Sequence, residues 1–212
     1  MSNSYNFIAI EGNIGSGKTS LATRISQEYN AKLILEQFED NSFLPKFYKD
    51  QARYAFPLEL SFLAERYQQL KDLLSNQDLF KDFTISDYFI SKSLIFSRKT
   101  LQSEEYKLYH KLFEIISQMI QKPDLLVYLY SSVERLQANI KRRDRSYELN
   151  IKDEYLESIQ QSYFDFIRQQ KDLRILIIDT NDIDFVNNDA DYSRLVKVIF
   201  KDYPIGIHRI HF

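Results

Sequence analysis

Gly12-Asn13-Ile14-Gly15-Ser16-Gly17-Lys18-Thr19 follows the short apolar run Asn6 to Ile10 and leads directly into a segment with helical spacing, Thr19 to Tyr29. The octet satisfies G-x-x-x-x-G-K-[ST], and strand before with helix after is the context that motif needs. Glycines allow the backbone to turn tightly, so that successive N–H groups converge on phosphate oxygens at the positive end of the following helix. Lys18 is then placed for the β- and γ-phosphates of a nucleoside triphosphate, and the Thr19 hydroxyl for Mg²⁺. The glycine count agrees. The chain has only four glycines, and Gly12, Gly15 and Gly17 are three of them.

Outward from this loop, further short runs rich in Ile, Leu, Val and Tyr predict buried strands: Lys32 to Leu35, Phe83 to Ser86, Leu125 to Tyr130 and Arg174 to Ile178. Between them lie segments of helical spacing, Ala55 to Leu74, Glu104 to Gln121, Val133 to Arg142 and Asp153 to Gln170, with Asp191 to Phe200 after the last. Strands joined by helices imply crossover connections and a mostly parallel sheet covered on both faces. The expected fold is therefore α/β, a three-layer P-loop NTPase fold with a central five-stranded sheet. The last stretch, Pro204 to Phe212, alternates apolar and polar residues and acquires no role from the sequence.

At 212 residues, with its four prolines scattered singly and no repeat or linker, the chain is expected to form one domain over 1–212. The 28 Lys+Arg and 30 Asp+Glu residues leave a net charge of −2, without the basic excess of a nucleic-acid or membrane-surface binder. Absence of cysteine excludes disulfides, thiolate metal sites and a cysteine nucleophile, and points to a reducing cytoplasm. There is no signal-peptide pattern and no long uncharged apolar window, which predicts a soluble protein.

Motor ATPases, GTPases and small-molecule kinases all use such a loop. An N-K-x-D segment and a D-x-x-G after a strand would mark a GTPase, and neither string occurs. Glu36 ends the second strand run, where open α/β sheets place ligand contacts, and a carboxylate there can accept a hydroxyl proton. Taken alone it is equally a solvated acid opening a loop. Around it, Glu36-Gln37-Phe38-Glu39-Asp40-Asn41, Phe47-Tyr48, Arg53 to Glu59 and Phe62 to Arg66 resemble the deoxynucleoside kinase family. The resemblance implies a strand-end Glu as general base, a Tyr on the sugar 3′-hydroxyl, a Gln eleven residues later on the base edge, and an Arg seven further on. Tyr48 and Arg66 fit that spacing around position 59.

Position 59 departs from the family in being Glu. A Gln amide offers a donor and an acceptor, an ionised Glu acceptors only. Guanine presents two adjacent donors, ring N1–H and the exocyclic amino group, so Glu59 points to a purine substrate with deoxyguanosine favoured. Pairing with Arg66 along the same helix, or simple solvation, is the alternative. Asp87, in Ile85-Ser86-Asp87-Tyr88, matches the acid of the family's Glu-Arg-Ser and would serve the magnesium shell; a helix N-cap is its other use. The family's Arg after it is missing, and Lys92 and Arg98 are the nearest cations.

By the same resemblance, Ile140-Lys141-Arg142-Arg143-Asp144-Arg145-Ser146-Tyr147-Glu148 is an arginine lid over about 141–148, although a solvated helix end has the same pattern. Arg143 and Arg145 would cover the transferring phosphoryl group, and Glu148 would join Tyr48 at the 3′-hydroxyl. Ile177 to Phe185 resembles the loop that holds adenine of ATP, with Asp184 and Phe185 the contacts and Phe185 the stacking ring; a plain capped turn is equally compatible. The family's dimer implies a homodimer, for which the stripe Tyr106, Tyr109, Phe113, Ile116 and Ile120 is a candidate unless it is core. The combined expectation is an ATP- and Mg²⁺-dependent deoxynucleoside kinase. Its rivals are a thymidylate-type nucleoside monophosphate kinase, disfavoured by Glu36, Glu39 and Asp40 where an anion would sit, and an ATP-sensing module without transfer.

Overall fold

The computed structural model describes residues 4–37, 41–75, 78–145 and 148–212, and of Tyr48 the backbone alone. Its elements run β1 (Phe7–Gly12), α1 (Lys18–Glu28), β2 (Lys32–Ile34), α2 (Leu44–Lys49), α3 (Gln51–Ser75), β3 (Thr84–Ser86) and α4 (Ser91–Thr100). They continue with α5 (Ser103–Ser117), β4 (Leu125–Tyr130), α6 (Val133–Arg143), α7 (Asp153–Gln169), β5 (Arg174–Asp179), α8 (Asp189–Ile199) and β6 (Gly206–Ile210). The strands form one sheet in the order β2-β3-β1-β4-β5-β6, and every pairing is parallel.

Side chains alternate across the sheet, and the core divides accordingly. Phe7 and Ala9 of β1, Leu126 and Tyr128 of β4, and Ile175 and Ile177 of β5 face one side, with Leu63 and Leu70 of α3, Tyr109 of α5 and Tyr163 of α7. Ile8 and Ile10, Leu125 and Val127, and Leu176 and Ile178 face the other, where Leu21 and Ile25 of α1 and Leu195 and Ile199 of α8 close over them. Burial on both faces explains why these strands are continuous apolar runs, and it delivers the three expected layers.

Among the described residues the expected five strands are six. Residues 204–212 contain β6, in register with β5 through Ile175↔Ile207 and Ile177↔Arg209. As an edge strand it has His208 and Arg209 where a central strand would have apolar residues, so nothing in its composition marks it as part of a buried sheet. Two further helices, α2 and α4, also had no counterpart in the sequence reading. The long helix α3 begins at Gln51, ahead of the expected Ala55, and tolerates Pro57 near its start. Of the aromatic stripe on α5, Tyr109 and Phe113 belong to the core, as does Ile120 just beyond it, and Tyr106 and Ile116 pack against that core. That stripe is core, and the exposed apolar residues of the helix are Leu108 and Ile115.

β1 lies between β3, which continues to one edge, and β4, which continues to the other. The connections therefore reverse direction beside the C-terminal end of β1, where crevices of open α/β sheets form. The phosphate loop begins there, at Gly12.

Candidate active site

Gly15 and Gly17 adopt positive φ, 82° and 85°, a left-handed conformation that glycine enters without a Cβ penalty. Close packing reinforces the requirement. A Cβ on Gly15 would lie 2.8 Å from the carbonyl oxygen of Leu136, and one on Gly17 2.7 Å from Cζ of Phe185. The loop is thus wedged between α6 and the segment after β5. Asn139 of α6 donates to the Gly15 carbonyl at 2.9 Å, and the buried Asn13 side chain donates to the Leu156 carbonyl of α7 at 2.8 Å. Asn13 so serves the loop's own anchorage. Ile14 packs with Leu136, Ile140 and Leu156 under the lid, and the buried Ser16 hydroxyl has no hydrogen-bond partner among the described residues.

Two cavities open from the loop. The larger, about 380 Å³, is bounded by Gly15 to Ser20, by Arg135, Asn139, Arg142, Arg143 and Arg145, and by Thr180 and Asp184 to Asn187. The smaller, about 190 Å³, is bounded by Glu36, Glu59, Phe62, Arg66, Asp87, Lys92 and Glu148 among others. Lys18, Thr19, Arg143 and Arg145 line both. A group bound in one cavity can therefore meet a group in the other beside this lysine and these arginines.

Lys18 donates to the Asn13 carbonyl at 2.7 Å. Burial and the repulsion of Lys92 push its ammonium down to about 8, against the opposing pull of Glu11, Asp87 and Glu36. The Thr19 hydroxyl donates to Asp87 Oδ2 at 2.5 Å, and Asp87 Oδ1 accepts the Glu36 N–H at 2.8 Å. Asp87 is therefore no helix cap; it joins the phosphate loop to the end of β2. A hydroxyl and a carboxylate brought together at the end of such a loop are the hard oxygen donors that fit Mg²⁺.

Glu36 is held from two sides. Arg66 Nε and Nη2 donate to its Oε1 at 2.9 and 2.7 Å, and Lys92 donates to Oε2. Burial would raise its pKa, but Lys92 and Arg66 outweigh that and hold the carboxyl down at about 2. Of the two cations left open by the sequence, Lys92 is the one in the cavity wall. Arg98 is mostly exposed and lies 4.0 Å from Asp165. The remaining Arg66 nitrogen, Nη1, donates to Ser93 at 2.7 Å, so the hydrogen bonds of Arg66 are directed away from Glu59. Glu59 is buried, its carboxyl beside the Thr100 hydroxyl, and burial pushes it up to about 7 against the pull of Arg66 and Lys92.

At the end of α6, which Asp144 caps in a left-handed conformation (φ 54°), Arg143 pairs with the buried Glu148, and Arg145 Nη1, just beyond the helix, lies 3.6 Å from the same carboxylate. The lid residues thus come together, although Ser146 and Tyr147 lie outside the described residues. So do Phe38, Glu39 and Asp40, and the Tyr48 side chain. Phe185 is buried against Gly17 in the core behind the loop while still bordering the larger cavity. The Asp184 carboxylate accepts from Asn187, and its N–H donates to Asp191 at 2.9 Å.

Two residues escaped the sequence reading. Glu11 is fully buried at the end of β1, accepting from the Phe89 N–H at 2.8 Å and the Tyr163 hydroxyl at 2.8 Å. Burial raises its pKa, opposed by Lys92 and these hydrogen bonds. A lone acid ending an apolar strand was its visible signal. Arg135 donates to the carbonyls of Asn181 and Ile183 and so holds the loop after β5; one arginine on a charged helix gave no sign of that use.

A phosphate loop with one cavity on either side of Lys18, the smaller lined by the largely buried carboxylate of Glu36, has the layout of a phosphate-loop kinase. Residues 8–203 match the family model described as deoxynucleoside kinase, and the chain belongs to that family. It is 37% identical to the deoxyguanosine kinase of Bacillus subtilis over 193 residues, 89% of this chain and 93% of that one. It is 32% identical to the deoxyadenosine kinase of Dictyostelium discoideum over 197 residues, covering 92% and 78%. The fold also matches the deoxyadenosine kinase from M. mycoides with bound dATP, at a TM-score of 0.78 and 24% identity over 92% of this chain and 99% of that one. The protein is accordingly a deoxynucleoside kinase. No helix among the described residues is long and apolar enough to cross a membrane.

Proposed function

We propose that residues 1–212 act as one kinase domain that moves the γ-phosphate of ATP to the 5′-hydroxyl of a purine deoxynucleoside, deoxyguanosine ahead of deoxyadenosine, for nucleotide salvage in the cytoplasm. The observation that carries the base preference is Glu59, a buried carboxyl in the acceptor cavity whose helix neighbour Arg66 is engaged by Glu36 and Ser93. Similarity to a deoxyguanosine kinase supports the same order.

ATP would occupy the larger cavity, its adenine beside Asp184 and Phe185 and its phosphates on the backbone from Gly12 to Thr19. Thr19 and Asp87 would hold Mg²⁺, which when bound neutralises phosphate charge. The acceptor would lie in the smaller cavity between Phe62, Arg66 and Glu59, its 5′-hydroxyl toward Glu36 and its 3′-hydroxyl toward Tyr48 and Glu148. Glu36 accepts the hydroxyl proton. Lys18 steadies the β- and γ-phosphates, and Arg143 with Arg145 stabilises charge on the group in transit. Crowding at the 3′-hydroxyl leaves little room for a 2′-hydroxyl and favours deoxyribose.

A panel of ATP with the four deoxynucleosides and their monophosphates, products separated by chromatography, tests this. The largest kcat/KM is expected for deoxyguanosine, then deoxyadenosine, with no turnover of monophosphates. Preferred phosphorylation of a pyrimidine deoxynucleoside, or of dGMP, would overturn it.

A further inference from the structure

The setting of Glu59 goes further than a base preference. Glu59 borders the acceptor cavity, is buried, and among the described residues the guanidinium of Arg66 directs its hydrogen bonds to Glu36 and Ser93 instead. The charged groups acting on it are Arg66 from its own helix and Lys92 from α4. Thr100, at the end of α4, meets the carboxyl, and from α5 the Tyr109 hydroxyl donates to the Glu59 main-chain carbonyl at 3.3 Å. The α2 side of the cavity contributes Leu44, and Lys18, Glu36, Asp87, Arg143, Arg145 and Glu148 are the charges elsewhere on its wall. Burial wins over the two cations and places titration of Glu59 at about 7. Both protonation states are thus populated near neutrality.

The two states offer different hydrogen bonds. An ionised carboxylate accepts twice; a carboxylic acid donates once and accepts once, the pattern of a Gln amide. Guanine N1–H and its amino group require two acceptors. Adenine N1 requires a donor and its amino group an acceptor. The contact at N1 is common to both purines, so one carboxyl can meet either edge with a small lateral shift of the base.

We propose that Glu59 selects between purines by its protonation state, binding deoxyguanosine as the carboxylate and deoxyadenosine as the acid, so that the acceptor preference follows pH. This rests on the reading of the smaller cavity as the purine site. A site built to hydrogen-bond one edge rejects the other by leaving buried polar groups unpaired, which makes the selection strong.

The test is kcat/KM for deoxyguanosine and deoxyadenosine with ATP in the intact protein from about pH 5.5 to 8.5. Titrations shared by both reactions, those of ATP and Glu36 included, cancel in the ratio. The ratio of deoxyguanosine to deoxyadenosine is expected to rise roughly tenfold per pH unit around neutrality, as the ratio of ionised to protonated carboxyl does. In Glu59→Gln the ratio is expected to be flat and shifted toward deoxyadenosine. A native ratio constant within about twofold would overturn the proposal, as would a slope that persists in Glu59→Gln. If Glu59→Gln re-ranks the purines while the native ratio stays flat, only the protonation switch fails. If Glu59→Gln leaves the native ranking untouched, Glu59 does not read the base, and the purine assignment of the cavity fails with it.

Discussion

A carboxylate held down to about 2 between Lys92 and Arg66 is a weak base in the ground state. Phosphoryl transfer through a loose transition state asks for little proton removal before the phosphoryl group has moved, so in the role proposed for it Glu36 would orient the 5′-hydroxyl and take its proton late. Glu36→Gln, which keeps the volume and one acceptor, is expected to lower kcat about 10²- to 10⁴-fold with a folded protein; near-normal turnover would refute the assignment. Glu36→Ala is the poorer probe, because it leaves Arg66 and Lys92 buried without their partner, a loss of roughly 3–5 kcal/mol. Glu59 has the opposite sign of shift and so the opposite effect on stability. Its folded carboxyl binds a proton more tightly than the unfolded chain, so its stabilising contribution is complete below about 4.5 and is lost as pH rises through about 7. Melting temperatures of the native protein relative to Glu59→Gln should fall between pH 5 and 8, by the equivalent of a few kcal/mol at most; parallel curves would show that Glu59 is not strained by burial. Glu59 could be singled out from sequence because its spacing from Tyr48 and Arg66 matches the pattern of the family the chain resembles, but its burial and the direction of Arg66 depend on Glu36 and Ser93, far away in the chain.

Among elements, α6 and the phosphate loop form one body. Asn139 bonds the Gly15 carbonyl, and the Leu136 carbonyl sits where a Gly15 Cβ would go. Unlike the Phe185 ring facing Gly17, that obstacle is helix backbone and cannot rotate aside. Gly15→Ala should therefore combine left-handed strain with displacement of α6, at roughly 2–4 kcal/mol, lowering the melting temperature by roughly 5–15 °C. Because α6 also carries Arg143, the KM for ATP should rise together with the loss of stability; a destabilised variant with unchanged KM would show the lid to be independent of its contact with Gly15. The octet 12–19 and the strands beside it were legible because local glycine placement and apolar runs are written in consecutive residues. The helix α4 was not, since Ser91, Ser93 and Ser97 fill its buried face and break the apolar periodicity that marks a helix. Those small hydroxyl residues make room for the polar pair it carries toward the site, with Ser93 receiving Arg66 and Lys92 meeting Glu36.

At the scale of the molecule, a parallel sheet between helical layers was implied by alternating strands and helices, while the order of its strands was not and its sixth strand was hidden by polar side chains at an edge. The aromatic stripe of α5 is spent on the core, yet Leu108, Ile115 and Met119 remain 52%, 58% and 62% exposed. With the half-buried Leu112 they recur at spacings of four, three and four along the chain, the seam pattern of helices that pack against one another. Tyr67 of α3 donates to the Met119 sulfur at 3.3 Å and extends the surface to a second helix. We propose that two copies of the chain associate through this face, in line with the homodimer expected from the sequence. Ile115→Glu places a charge at its centre, at a residue that lines neither cavity, and should convert a dimer into a monomer in sedimentation equilibrium while changing kcat/KM by less than about threefold. A native protein that sediments as a monomer at every concentration, or an Ile115→Glu variant that remains dimeric, would place the contact elsewhere or remove it.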